Sequence, residues 1–88
     1  MSLLEMNGNK IVVTVRIGKK GLTENVLREI EKVLDARGIV KVKLLQNFRS
    51  KFNVDKDAKT EIASILRDKL GAEVVDIRGY IITLRKRR

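Results

Sequence analysis

Apolar and polar positions alternate from residue 11 to residue 17. Ile11, Val13, Val15 and Ile17 face one way and Val12, Thr14 and Arg16 the other, and their β-branched side chains suit a pleated strand. At Leu22 the period lengthens. Leu22, Val26, Leu27, Ile30, Val33 and Leu34 recur at helical spacing, with Thr23 placed to cap the first turn, Glu24 favourable within it and Gly38 as the stop. Alternation then returns: Val40, Val42 and Leu44 oppose Lys41 and Lys43 in a second strand. The stretch "QNFRSKFNV" shows no period and reads as a long connection. Asp55 can cap a second helix whose apolar stripe is Ala58, Ile62, Ile65, Leu66 and Leu70, ending at Gly71. Two further strands follow, turning near Arg78, Gly79 and Tyr80, before a basic tail at residues 85–88.

The predicted order is β-α-β-α-β-β, an α/β two-layer fold with a four-stranded mixed sheet and two helices on one face. Strand, helix, strand units make right-handed parallel crossovers, so the first three strands should run in one direction and only the last should run back. A chain of 88 residues supports one domain, spanning residues 1–88, with 1–9 and 85–88 expected at its loose ends.

Parallel strands place every strand-to-helix loop at the same carboxyl-terminal edge of the sheet, where open α/β sheets bind ligands. The segments 18–21, 46–54 and 78–80 should therefore meet. They carry Lys19, Lys20, Arg49, Lys51 and Arg78, and all three aromatic residues, Phe48, Phe52 and Tyr80. Cations interleaved with aromatics suit phosphates and stacked bases, although Phe48 and Phe52 could equally plug the open end of a small core. The outward strand positions add Arg16, Lys41 and Lys43, which suit either RNA or solvent.

Charge sharpens this picture. Twenty Lys and Arg stand against eleven Asp and Glu, a net charge of +9, as expected of a protein that meets a polyanion. The excess avoids the helices: residues 22–37 hold three cations and four acids, and 55–70 hold four of each. Loops, strands and tail carry the surplus. Histidine and cysteine are absent, which removes imidazole bases, thiolate chemistry and most zinc sites. The carboxylates Asp55, Asp57 and Glu61 interleave with Lys56 and Lys59 in the ordinary manner of a solvated helix face. The sequence thus predicts no enzyme and no cofactor. With no signal peptide, no apolar run long enough to span a bilayer and no basic amphipathic face, it also predicts a cytoplasmic protein without a membrane partner.

The tetrapeptide Gly18-Lys19-Lys20-Gly21 opens the first helix. Helix N-termini expose unpaired N–H groups and about half a positive charge, so a phosphate could be clamped there by the backbone and ringed by the two lysines. Glycine at both ends would permit φ > 0 and close approach. Thr23 is the cap and a possible hydroxyl donor to phosphate.

The stretches "GKKGLTENVLREIEKVLDARGIVKVK" and "KTEIASILRDKLGAEVVDIRGYIITLRK" resemble the CRM domain, named for chloroplast RNA splicing and ribosome maturation, whose free-standing members are called YhbY-like. The resemblance runs from Ile11 to about Lys86. Its most specific parts are GxxG joined to Leu22-Thr23-Glu24, Val40 to Lys43, the Gly71-Ala72 step and Gly79. It implies a fold like the C-terminal domain of translation initiation factor three and RNA binding through the GxxG loop, as in KH domains. It also implies a role in large ribosomal subunit assembly or RNA maturation, and so an RNA partner. The chain departs from the family pattern twice: "MSLLEMNGN" is short for the helix that precedes the first strand in bacterial members, and the connection carrying Phe48, Arg49, Lys51 and Phe52 is long. Dimeric Alba-like chromatin proteins that bind DNA or RNA share the size, charge and lysine-bearing first loop, and make duplex DNA the alternative partner.

Overall fold

The computed structural model describes residues 12–87. The predicted N-terminal segment and the start of the first strand at Ile11 lie outside the described residues. The strands are β1 (Thr14–Ile17), β2 (Ile39–Leu44), β3 (Ala72–Arg78) and β4 (Ile81–Lys86), and the helices are α1 (Glu24–Arg37), α2 (Gln46–Phe52) and α3 (Lys56–Leu70). The sheet order is β1-β2-β4-β3. β1 pairs parallel with β2, and β4 runs antiparallel between β2 and β3. The first three strands thus share a direction, as the crossover argument required.

Both long helices start and stop where local chemistry dictates. Thr23 Oγ1 accepts from the Val26 N–H at 3.2 Å, and Asp55 Oδ1 from the Ala58 N–H at 2.8 Å. Each cap satisfies one of the orphan donors of a first turn. At the far ends Gly38 and Gly71 adopt left-handed conformations and return their N–H groups to Leu34 and Arg67 carbonyls.

Ile30 and Leu34 of α1 and Ile62, Ala63 and Leu66 of α3 pack with Val15, Ile17, Val40, Val42, Leu44, Ile82 and Leu84 of the sheet. Burying one such side chain is worth about 1.5–3 kcal/mol, so this face holds the two layers together. The alternating positions Arg16, Lys41 and Lys43 are exposed.

The segment expected to be a connection is helical instead, giving three helices rather than two. Phe48 and Phe52 are four residues apart, one turn of α2, and their ring centroids lie 5.1 Å apart. Leu45 supplies no side-chain cap, and Asn53 closes the helix with φ 54°. A seven-residue helix is too short to persist on intrinsic preference, and tertiary anchoring holds it here. Phe48 is 3% exposed within the core, and Val54 closes the segment against it.

Arg85 and Lys86 belong to β4 rather than to a tail. Arg85 Nη2 lies 2.8 Å from Glu73 Oε1 across the sheet, and Lys86 Nζ 3.1 Å from Asp35 Oδ1 of α1.

Candidate nucleic-acid interface

Three chain segments meet at the carboxyl-terminal edge of β1 and β2, as their order demanded. The Leu45 N–H donates to Ile17 O at 3.0 Å, tying the start of α2 to the end of β1. The Leu44 N–H donates to Tyr80 O at 2.9 Å, bringing the β3–β4 turn alongside.

The first segment is a β-turn from Gly18 to Gly21, closed by the Gly21 N–H donating to Gly18 O at 2.9 Å. Lys19 and Lys20 are the exposed central residues of the turn. The two glycines differ. Gly21 has φ 78° and is buried, and a Cβ there would sit 3.2 Å from Phe52 Cζ and 3.3 Å from Cε2. Gly18 is not among the positive-φ residues, and a Cβ there would make ordinary contact with Asn47 at 3.6 Å. Left-handed backbone is thus required only at Gly21, where the rings of α2 also leave no room for a side chain. The amide of Gly21 is spent on the turn, that of Thr23 on Gly21 O, and that of Val26 on the Thr23 hydroxyl oxygen. Lys19 and Lys20 supply the exposed charge of the loop.

The second segment is α2. Arg49 leans toward the hairpin: its Nε donates to Leu44 O at 3.1 Å and its guanidinium lies 4.1 Å from the centre of the Tyr80 ring. Lys51 is exposed, with Nζ 5.6 Å from the centre of the Phe52 ring. Phe52 is 48% exposed, so the two phenylalanines divide between the expected roles: one fills the core, the other faces solvent.

The third segment is the β3–β4 turn. Lys59 of α3 reaches it, donating from Nζ to Gly79 O at 2.6 Å with its ammonium 5.3 Å from the Tyr80 ring centre. Sequence reading assigned Lys59 to an ordinary solvated face. The 20-residue separation from Gly79 hid its contact.

A row of side chains crosses the exposed sheet face beside this edge: Arg16 is opposite Lys43, Lys43 opposite Ile81, and Ile81 opposite Arg78. Lys41 stands one pleat further along. Arg78 pairs with Asp76 at 3.1 Å, whereas Arg16, Lys41 and Lys43 form no salt bridge among the described residues. The same holds for Lys19, Lys20 and Lys51. These residues supply unneutralised positive charge on two adjoining surfaces.

Two recesses border the loop. One, of about 570 Å³, lies between the Gly18–Gly21 turn and α2 and is lined by Lys19, Gln46, Asn47, Ser50 and Lys51. The other, of about 310 Å³, is apolar, bounded by Leu22, Phe48, Phe52, Val54, Ile62 and Ile65 with Glu61 beside them. Gln46, Asn47 and Ser50 escaped the sequence reading because α2 was not recognised. The four-residue spacing of Phe48 and Phe52 was the signal that could have revealed it.

Among the described residues no group of three or more acidic side chains could hold a metal ion, and no helix is long and apolar enough to cross a membrane.

With this geometry in place, the chain matches the model of the CRS1 / YhbY (CRM) domain over residues 1–86 and belongs to that family. It is 34% identical over 82 residues to a protein of Methanocaldococcus jannaschii named a probable RNA-binding protein, matching 93% of this chain and 57% of the relative. This chain therefore spans little more than half of that relative's length. The solution structure of a Staphylococcus aureus protein described as "a putative RNA binding protein" superimposes with a TM-score of 0.69 at 28% identity, covering 98% of this chain and 82% of the other.

Proposed function

We propose that this protein is a non-catalytic RNA-binding module that grips the ribose-phosphate backbone of structured RNA. Lys19 and Lys20 project from the GxxG turn as the principal phosphate contacts, and Thr23 keeps its hydroxyl proton for a further one. Lys51, Arg16, Lys41 and Lys43 extend the charge from the loop onto the exposed sheet face, and Arg78, paired with Asp76, stands beside them as a further contact. Arg49 and Tyr80 hold the hairpin beside the loop and contribute their outer surfaces. Within the turn the Gly21 N–H is engaged with Gly18 O, while the Lys19 and Lys20 side chains are exposed to a phosphate beside it.

The observation that carries this reading is the convergence of cations without salt bridges, from the loop, α2 and the open sheet face, at one edge of a CRM-family fold. Phosphate contacts of this kind fix position and orientation but not sequence, and they make affinity fall steeply with salt. The names of the archaeal relative and of the staphylococcal structure support the same partner. The cellular role we favour is cytoplasmic, in maturation of large-subunit ribosomal RNA.

Competition between fragments of large-subunit ribosomal RNA and duplex DNA at one fixed salt concentration tests the partner. The RNA should win, and each RNA should remain intact with or without magnesium. Preference for duplex DNA would replace this reading by a chromatin one, and magnesium-dependent cleavage would replace it by an enzymatic one. Crosslinking in cells, followed by sequencing of bound fragments, tests the ribosomal role.

A further inference from the structure

Cations that meet phosphates cannot distinguish one base from another. Reading a base takes hydrogen-bonding groups at its edges, amide and hydroxyl side chains among them, and in RNA these edges are accessible where bases are unpaired. The recess between the GxxG turn and α2 contains such groups. Phe48 and Phe52 occupy one side of α2, so Gln46, Asn47 and Ser50 come to the exposed side, with Lys19 across the recess and Lys51 following on the same helix. None of the three polar side chains makes a hydrogen bond within the chain among the described residues. Their donors and acceptors are available to a ligand.

The recess is also held in shape. Burial of Phe48, the Arg49 bond to Leu44 O and the Leu45 bond to Ile17 O fasten α2 to the sheet. Asn47 lies against the backbone of Gly18, where even an added Cβ would be only 3.6 Å from its Oδ1. The amide that could read a base and the turn that carries the phosphate contacts are therefore neighbours on fixed elements, as preorganised recognition requires. The recess, about 570 Å³, is shallow and open to solvent, so a base on an extended strand can reach it without any movement of the fold.

From this juxtaposition we infer that the recess is a base-reading subsite: it takes one unpaired nucleobase of the bound RNA. Asn47 and Gln46 bond its edge, Ser50 supplies a hydroxyl, and Lys19 and Lys51 meet the flanking phosphates. The inference rests on the RNA-binding reading above and adds base discrimination to it.

The test uses the full chain and short single-stranded RNA probes: oligomers of A, C and U, and an abasic ribose-phosphate oligomer of equal length, titrated by fluorescence anisotropy across a salt series. A structured RNA is the reference. Wild-type protein should bind one base-bearing oligomer at least about fivefold more tightly than the abasic one, the lower end of what one well-placed base contact provides. The Gln46→Ala, Asn47→Ala double variant should lose that margin while keeping its salt slope, because the phosphate contacts remain. The Lys19→Ala, Lys20→Ala double variant should do the reverse, with a shallower slope and a preserved ratio among bases. Unfolding curves verify that both variants are folded. If the wild-type margin persists in the Gln46→Ala, Asn47→Ala protein, or if the wild type binds structured RNA yet treats base-bearing and abasic oligomers alike, the subsite is overturned and backbone binding stands. If the wild type binds neither structured RNA nor any oligomer, both readings fail.

Discussion

The ring of Phe52 roofs Gly21: a Cβ built on that glycine would lie 3.2 Å from Phe52 Cζ, closer than side chains ordinarily approach. The second glycine of the GxxG turn is therefore held by α2, and loop and helix form one unit.

That contact separates the two glycines by experiment. Gly21→Ala combines a left-handed φ of 78° with the Phe52 clash and should cost about 1–3 kcal/mol. Gly18→Ala meets only ordinary contact at 3.6 Å and should stay within about 0.5 kcal/mol of wild type. Urea unfolding of the two variants measures the difference, and equal destabilisation would contradict the geometry.

The two phenylalanines should separate as well. Phe48 is 3% exposed, so Phe48→Ala should cost about 3–5 kcal/mol, a large part of the about 5–15 kcal/mol that keeps a domain folded. Phe52 is 48% exposed, and its truncation should cost less than half as much. Thermal denaturation ranks them. A Phe52→Ala protein as unstable as Phe48→Ala would mean that the outer ring carries the core.

Lys19→Ala with Lys20→Ala should leave the melting temperature unchanged, since both side chains are exposed, while weakening structured RNA at moderate salt. Each lost phosphate contact should lower the slope of log affinity against log salt by about 0.7–0.9. Affinity and slope both equal to wild type would remove the turn from the interface.

Arg49 should behave differently from these lysines. Its bond to Leu44 O and its position 4.1 Å from the Tyr80 ring centre fasten the hairpin to α2. Arg49→Ala should therefore cost about 1–3 kcal/mol of stability and speed hydrogen exchange at the Leu44 amide, which donates to Tyr80 O. Arg49→Lys keeps the charge but loses the planar fork, and should recover little of that stability. If Arg49→Ala alters RNA affinity with no change in exchange, the residue is a ligand contact and not a fastener.

Much of the architecture is legible in residue order. The alternation of Val13, Val15 and Ile17 against Thr14 and Arg16, the caps Thr23 and Asp55, and the stops Gly38 and Gly71 are local signals, and local sterics and hydrogen bonding enforce them. Parallel crossovers follow from chain handedness, so the meeting of three segments at one sheet edge was also legible. Helix α2 left only the four-residue spacing of Phe48 and Phe52 as a signal, because a seven-residue helix with an uncapped start carries little periodicity, and its stability comes from Phe48 entering a core built by distant residues.

The sequence by itself determined which residues alternate, where helices begin and end, the surplus of positive charge, and the family pattern carried by Gly18 to Glu24 and Gly71 to Gly79. Tertiary structure alone decided that β4 lies between β2 and β3, that Lys59 reaches Gly79, that Phe48 is buried while Phe52 roofs Gly21, and that Gln46, Asn47 and Ser50 share a recess with Lys19. The reason is physical: propensity, capping and charge act within a few residues. Strand order, ring packing and recess shape depend on contacts between segments far apart in the chain, which only the folded core brings together.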